Sequence, residues 1–455
     1  MKQYKIIRAC TVSMSIGFVR GMLPDLNKKY EMVILSSPGP EMDEVEREGL
    51  ARCVAVPMER HISPVKDFIS LCKLIKVFRK EKPDMVHSMT PKAGLLCMLA
   101  GWLTRVPVRI HTFTGLVWPT SKGLQRKILK LTDKITCACA THIIPEGQGV
   151  LNDLKEGGIT RKPMRVLGYG NVRGIDMTRF SRRPEVMALA KPLCQDSVFT
   201  FLFVGRIVGD KGINELVEAF EKLNAEVPNT RLVLVGFFEE NLDPVSSETK
   251  QKIESHPSII AAGVQSGDNL LAYYAAADCF VFPSYREGFP NTVIEAGAMG
   301  LPSIVTDING SREIITNGNA ANEREQNDAS IGSVERKQGR SECFNANGNG
   351  WRNADEQTTE NTDQHGCSSE NCQPLSDEQT TENTDQHGLN NGNIKKNGII
   401  IPSKNVKALY EAMKLMVTDD DMRETMAANA RPMIESRYEQ RFVRKCLYEF
   451  YEELL

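Results

Sequence analysis

The chain has 455 residues, 41% of them hydrophobic and 25% charged, which suits two globular domains with true cores and something more. The twelve Cys are scattered, and there is neither an apolar run long enough to span a bilayer nor a charged-then-apolar leader, so a membrane-spanning or disulfide-stapled class is excluded and a reducing cytoplasm is expected. The net charge of −2 hides an asymmetry, with 31 Lys and Arg against 16 Asp and Glu in residues 1–183, and 25 against 42 in the remainder; the basic half calls for an anionic neighbour such as a phospholipid surface, a polyprenyl diphosphate or nucleic acid.

No basic-aromatic recognition motif accompanies that charge, so no nucleic-acid partner is expected. Tyr4–Cys10, Glu31–Ser36, Asp84–His87 and Val106–His111 are short apolar runs of the kind that form buried parallel strands. Between them, Pro64–Lys80 sets Val65, Phe68, Ile69, Leu71, Cys72, Leu74, Ile75 and Phe78 at helical spacing. This alternation predicts a doubly wound α/β sheet over about residues 1–180. Cys137 and Cys139, close to His142, match no zinc spacing and read as a buried strand edge.

A second series of strands follows from Val198: Thr200–Val204, Arg231–Val235, Ile259–Ala262, Cys279–Phe282, Pro302–Val305 and Ile399–Ile401. Helical stretches, including Ile213–Ala225 and Leu270–Ala277, lie between them. The chain therefore divides into two Rossmann-like domains, 1–183 and 184–437, with an amphipathic helix at 438–455 expected to pack back on the first. Residues 319–395 fit neither series. They are polar and carry DEQTTENTDQHG twice, at Asp355–Gly366 and Asp377–Gly388. Each copy lacks an apolar face to bury, so a disordered insertion is expected, and a metal role for its His365 and His387 is weakly motivated.

Chemistry concentrates where predicted strands end. Phe282–Ala296 (FPSYREGFPNTVIEA) places Glu287 at the carboxyl end of a strand, where open α/β sheets bind ligands, and Glu295 one turn into the next helix. The first amides of that helix, on Asn291, Thr292 and Val293, suit phosphate oxygens. Carboxylates there are better matched to sugar hydroxyls. Val204–Gly212 (VGRIVGDKG) brings Arg206 and Lys211 to the same sheet edge, where two cations can offset the charge of a departing diphosphate. Taken singly, each segment also reads as a capped helix or a solvated surface; four such residues on one predicted edge are less readily coincidental.

VGRIVGDKGI, EGFPNTVIEA with its Glu-x7-Glu spacing, and GLPSIVTDINGSREII resemble the retaining glycosyltransferases of family four, with the two-domain GT-B fold. The resemblance covers nearly the whole chain outside the repeat-bearing segment. It implies that Arg206 and Lys211 bind the donor diphosphate, that Glu295 binds ribose hydroxyls, and that Glu287 contacts the transferred sugar. It also implies that backbone around Ala262 and Gly263 lines the base pocket. By position, Thr11–Phe18 matches a glycine-rich loop approaching the diphosphate, although only Gly17 is present and a Gly-Gly pair is missing. In HTFTGLVW, His111 matches a residue facing the donor sugar, and Trp118 is either core or acceptor-site lining.

HTFTG and PNTVIEAGAMGLPSIVTDINGSREII are most similar to bacterial enzymes that extend undecaprenyl-diphosphate-linked glycans. The implied reaction moves a hexose or N-acetylhexosamine from a nucleotide diphosphate sugar, UDP-linked by preference, to a polyprenyl-diphosphate-linked acceptor. The donor is a co-substrate. No metal or other cofactor is expected, because no DxD-type site lies where the donor should sit. Ser121–Lys134 adds Lys122, Arg126, Lys127, Lys130 and Lys134 around Leu124, Ile128, Leu129 and Leu131. Such a basic amphipathic helix can rest on the anionic inner face of the plasma membrane. A nucleotide-sugar epimerase and an inactive nucleotide-sugar-binding relative remain the rival readings.

Overall fold

Runs such as Met32–Leu35 and Phe201–Val204 are buried along their whole length. Strands with no polar face are stable only where both faces are covered, as inside a parallel sheet. The computed structural model describes residues 3–240, 243–316 and 396–455, and contains two such sheets within one compact unit. The expected insertion, its two repeats and its His365 and His387 lie outside the described residues.

The first sheet is formed by β1 (Lys5–Ala9), β2 (Glu31–Ser36), β3 (Arg52–Ala55), β4 (Met85–Met89), β5 (Val108–Phe113) and β6 (His142–Pro145). Their order is β3-β2-β1-β4-β5-β6, all parallel, with Ile7 beside both Val33 and Val86. The connecting helices are α1 (Leu23–Leu26), α2 (Pro40–Arg47), α3 (Pro64–Glu81), α4 (Pro91–Leu103), α5 (Gly123–Cys139) and α6 (Gln148–Glu156). One face of the sheet packs on Leu74, Phe78, Leu96 and Cys137 from α3, α4 and α5.

The second sheet repeats the plan. It uses β7 (Phe199–Val204), β8 (Thr230–Val235), β9 (Ile259–Gly263), β10 (Cys279–Phe282), β11 (Ser303–Thr306) and β12 (Gly398–Ile401), in the order β12-β11-β10-β7-β8-β9. Its helices are α7 (Pro184–Ala190), α8 (Ile213–Glu226), α9 (Ser247–Ser255), α10 (Gly267–Ala275), α11 (Asn291–Ala298), α12 (Ser311–Ile314), α13 (Val406–Thr418), α14 (Asp420–Tyr438) and α15 (Gln440–Leu454). In each sheet the strand order reverses once, between β1 and β4 and between β7 and β10. Ligands of doubly wound folds bind beyond the carboxyl ends at these points.

The final helix returns to the first sheet, where Leu447, Phe450 and Tyr451 pack with Ile6, Ile34 and Met85. Its passage runs beside the outward linker: Ile175 N–H donates to the Tyr438 carbonyl at 2.8 Å and Gln440 N–H to the Ile175 carbonyl at 2.9 Å. Tyr438 ends α14 rather than opening the last helix. The break falls at Glu439, whose carboxylate accepts the N–H groups of Arg441 and Phe442 and so caps α15.

One further expectation is corrected. Cys137 and Cys139 occupy the last turn of α5, not a strand edge; they are two apart on a helix whose buried side meets the sheet, and His142 opens β6 beyond it. In α3 the apolar spacing persists, yet Val65, Phe68, Ile69 and Cys72 are exposed and only Ser70, Leu74 and Phe78 are buried. The strands β3 (RCVA) and β6 (HIIP) were not marked in the sequence.

Candidate functional site

The cationic and carboxylate loops singled out in the sequence leave the switch point of the second sheet. After β7 the chain turns through Arg206–Lys211; after β10 it turns through Ser284–Pro290 and enters α11. Lys211 Nζ is ion-paired to Glu287 Oε1, and Ser284 Oγ donates to the same carboxylate oxygen at 2.8 Å. The side chains of the pair are 14% and 17% exposed, so both open to solvent only on one side. Lys211 also lies 5.2 Å above the Phe282 ring, an attraction between a cation and the ring face that fixes its direction.

Arg206 is not free either, since its guanidinium donates to Glu239 Oε2 at 2.6 Å. Glu239 follows β8, and the same region supports the cationic loop through Asp243. Asp243 accepts Gly209 N–H on its carbonyl at 2.9 Å and Asp210 N–H on its carboxylate at 2.5 Å. Both cations expected to meet a diphosphate are thus held by carboxylates here. At an effective dielectric of about 20, one unit pair at 4 Å is worth about 4 kcal/mol. A multiply charged diphosphate therefore competes well against one carboxylate for either cation.

The opposite wall comes from the turn after β5. A Cβ placed on Gly288 would lie 2.2 Å from the Thr114 carbonyl oxygen and 2.8 Å from Gly115 Cα. Only glycines allow the HTFTG and EGF segments to meet this closely. Arg286 adds a bond across the same junction, donating to the Leu116 carbonyl at 3.3 Å.

Glu295 sits one turn into α11. Its carboxylate accepts from Tyr274 Oη at 3.1 Å and lies 3.6 Å from Arg173 Nη1. Burial pushes its pKa up, while Arg173, then Tyr274 and Arg179, pull it down. It borders a cleft of about 470 Å³ that Gly17, Arg173, Arg179, Asn291 and Arg444 also line. A Cβ on Gly17 would meet nothing within 4 Å, so that residue faces open space. The structure brings Gly17, Asn291 and Glu295 together on this cleft, and Lys211 with Glu287 at the neighbouring loops.

Other expected residues are placed differently. Val293 N–H donates to the Pro290 carbonyl at 3.2 Å and its side chain is in the core, so of the three helix-start amides those of Asn291 and Thr292 are better disposed toward a ligand. Gly263 ends β9 with a positive φ of 67° on the solvent side, its carbonyl accepting Gly236 N–H. His111 is 1% exposed: its Nδ1 bonds Ser88 Oγ at 2.9 Å, its ring meets Phe113 edge-on, and α4 can approach it only at Gly94. Burial lowers the His111 pKa to about 3, so the ring is neutral. Trp118 is core, packed against Gly157 beneath Arg126 and Lys130.

Sequence reasoning passed over Arg173, Glu239, Tyr274 and Ser284. Arg173 follows no predicted strand, and Tyr274 reads as an ordinary apolar helix position. The one available signal was the Asn-x-Arg-Gly turn at Asn171–Gly174. There Asn171 Oδ1 accepts the N–H groups of Arg173 and Gly174, at 3.1 and 2.7 Å. Among the described residues, no three His, Cys, Asp or Glu side chains converge as a metal site.

The family of group 1 glycosyl transferases matches residues 190–336, and that of the glycosyl transferase 4-like domain matches residues 19–170. The capsular polysaccharide biosynthesis glycosyltransferase CapM of Staphylococcus aureus is 34% identical over 320 residues, 70% of this chain and 83% of that protein. The UDP-Gal:alpha-D-GlcNAc-diphosphoundecaprenol alpha-1,3-galactosyltransferase of Escherichia coli is 30% identical over 305 residues, 64% of this chain and 75% of that protein. The crystal structure of Anabaena Alr3699/HepE in complex with UDP matches with a TM-score of 0.68 over 99% of this chain and 100% of that one; at 13% identity this shows a shared fold. With both sheets matched and a relative 34% identical over most of its length, the chain belongs to the family-four glycosyltransferases of the GT-B fold.

Proposed function

We propose that this glycosyltransferase moves a hexose or N-acetylhexosamine from a UDP-sugar to a polyprenyl-diphosphate-linked glycan, with retention of anomeric configuration and without a metal ion. The observation that carries the reading is the Lys211–Glu287 pair at the β7/β10 switch point, packed under the Thr114–Gly115 turn of the opposite domain. The names of the Staphylococcus aureus and Escherichia coli relatives supply the acceptor class and the biosynthetic setting.

In this reading the donor diphosphate draws Lys211 and Arg206 from their carboxylates, and the amides of Asn291 and Thr292 share its charge. Lys211 released from Glu287 leaves that carboxylate to accept hydroxyls of the transferred sugar, while Glu295 accepts those of the ribose. Gly17 leaves room for the diphosphate, and Gly263 lies beside the base. As the glycosidic bond to phosphate breaks, the cations stabilise the leaving oxygen, which takes the proton of the acceptor hydroxyl attacking the same face. His111, neutral and covered, supports the Thr114–Gly115 turn from β5.

The acceptor's lipid would reach the site from an anionic membrane surface. Ile62, just before α3, and Val65, Phe68 and Ile69 in its first turns are exposed, as are Leu124 and Leu131 on α5, which lie among Lys122, Arg126, Lys127, Lys130 and Lys134 of that helix and its cap. Both helices begin at the carboxyl edge of their sheet, as the site does. No described helix is long and apolar enough to cross a membrane. A test of the whole reading incubates the protein with UDP-sugars and undecaprenyl-diphosphate-linked glycans in EDTA and determines the product and its anomeric configuration. Transfer with retention is expected; inversion, dependence on added Mn²⁺ or Mg²⁺, or sugar isomerisation without an acceptor would contradict it.

A further inference from the structure

Each oxygen of the Glu295 carboxylate has a protein group beside it. Tyr274 donates to Oε2 at 3.1 Å, and Arg173 stands 3.6 Å from Oε1. An ionised carboxylate offers about four lone-pair positions, so acceptor capacity remains on both oxygens, on the side that borders the cleft.

Tyr274 is held by burial and Arg173 through its backbone. Tyr274 is fully buried on α10, its ring tilted against Phe280 at 5.9 Å. Arg173 is set by the linker turn, where Asn171 adopts a positive φ of 58° and accepts two backbone N–H groups. The same Asn171 donates through Nδ2 to Asn291 Oδ1 at 3.0 Å. Asn291 is the first residue of α11, the helix that carries Glu295. The linker thus grips α11 at both its first residue and its carboxylate. Gly174, next in the turn, leaves no room for a Cβ, which would lie 2.5 Å from Gln440 Cα, so the turn is also pinned from behind by α15.

We propose that Arg173 and Tyr274 are positioning residues that hold the Glu295 carboxylate in one orientation, so that it accepts from the vicinal 2′- and 3′-hydroxyls of a ribose, and that this arrangement selects ribonucleotide over deoxyribonucleotide donors. The inference rests on the reading of Glu295 as the ribose acceptor given above. A carboxylate fixed from two sides presents both oxygens at a constant spacing; released from either side it rotates, and a second hydroxyl adds little. A buried carboxylate also depends on a nearby cation to stay charged, and of the two arginines that act on it Arg173 has the larger effect.

The test measures binding of UDP and of 2′-deoxy-UDP to the full chain by calorimetry, in wild type, Glu295→Gln, Arg173→Gln, Arg173→Lys and Tyr274→Phe, with thermal melting as a folding check. Wild type should prefer UDP by roughly tenfold or more, the effect of one hydrogen bond to a charged group. Glu295→Gln should remove the preference. Arg173→Gln and Tyr274→Phe should reduce it to a few-fold while leaving affinity for the deoxy analogue within about twofold, and Arg173→Lys should recover part of it. If both positioning variants keep the wild-type ratio while Glu295→Gln loses it, the positioning role is wrong and the ribose reading stands. If Glu295→Gln also keeps the ratio, the ribose reading falls and takes the positioning role with it.

Discussion

Lys211 and Arg206 each rest against a carboxylate, Glu287 and Glu239, at loops that follow β7, β8 and β10. Stabilising the charge on a leaving group is one of the main ways an active site lowers a barrier. Lys211→Ala and Arg206→Ala should therefore each lower turnover by about 10²-fold or more. Arg206→Ala should change the melting temperature little, because its pair is more open to solvent; Lys211→Ala should lower it measurably, since it strips the cation from a mostly buried carboxylate. Steady-state kinetics with circular dichroism separates the two effects, and near-normal turnover in both variants would remove these cations from the site.

Glu146, at the end of β6, gives a pH-dependent case. Its carboxyl is raised to about 8, chiefly by burial, with the Val172 amide pulling it down and Glu313 and Glu287 pushing it up. Unfolded, the group titrates near 4.5. Between these values the folded protein holds a proton that the unfolded chain has lost, so this contribution to stability is lost as pH rises from about 4.5 to about 8. Glu146→Gln keeps the shape and an acceptor but cannot ionise. Differential scanning calorimetry should show it near wild type at pH 5 and several degrees more stable at pH 8. An equal difference at both pH values would count against a neutral Glu146.

Among the elements, α6 begins without a cap of its own, since Gly147 precedes it and has no side chain. The cap comes from α12, whose Glu313 accepts Gln148 N–H at 2.7 Å and Gly149 N–H at 3.0 Å, along with Gly310 N–H at 3.1 Å. Helix and cap belong to different sheets, so one carboxylate both satisfies a helix end and joins the domains. Glu313→Ala leaves these half-buried amides without a protein partner, at a cost of about 1–3 kcal/mol. It should lower the melting temperature by several degrees, with Glu313→Gln in between; an unchanged value would mean that water caps the helix equally well.

At the start of α3, Val65 and Phe68 are 75% and 66% exposed. Their spacing satisfies a helix and says nothing of what covers them. If the membrane does, Val65→Ser with Phe68→Ser should weaken flotation with anionic vesicles at low salt and leave melting unchanged. Salt should weaken the wild-type interaction as well, because surface charges are screened over about 10 Å at 0.1 M. Full flotation of the double variant would move the contact elsewhere.

Across the whole molecule, the described chain stops at Thr316 and resumes at Lys396. The two margins touch. Thr316 N–H donates to Asn397 Oδ1 at 2.7 Å, Asn397 N–H to the Thr316 carbonyl at 3.3 Å, and Asn397 Nδ2 to the Ile314 carbonyl at 3.1 Å. β12 then pairs with β11 from Gly398 onward. Loop closure adds only about 0.6 kcal/mol for each doubling of length, so the junction is expected to hold over a short link as well. Joining Gly318 directly to Asn397 should keep both turnover and melting temperature. A soluble product that has lost transfer or unfolds would show the segment to be integral.

The sequence determined what depends on near neighbours in the chain. Apolar runs marked ten of the twelve strands among the described residues, and strand-end motifs marked Arg206, Lys211, Glu287 and Glu295, because period, turn chemistry and strand direction are local properties. It did not determine which side chains meet. Glu239 on Arg206, Arg173 and Tyr274 on Glu295, and Glu313 on α6 join residues 33, 122, 21 and 165 positions apart. No periodicity links such positions; the order of the strands and the return of the chain bring them together. The same holds for His111, which closes into the first domain beneath Gly94, and for Val65 and Phe68, whose helical spacing was legible but whose face no described element covers.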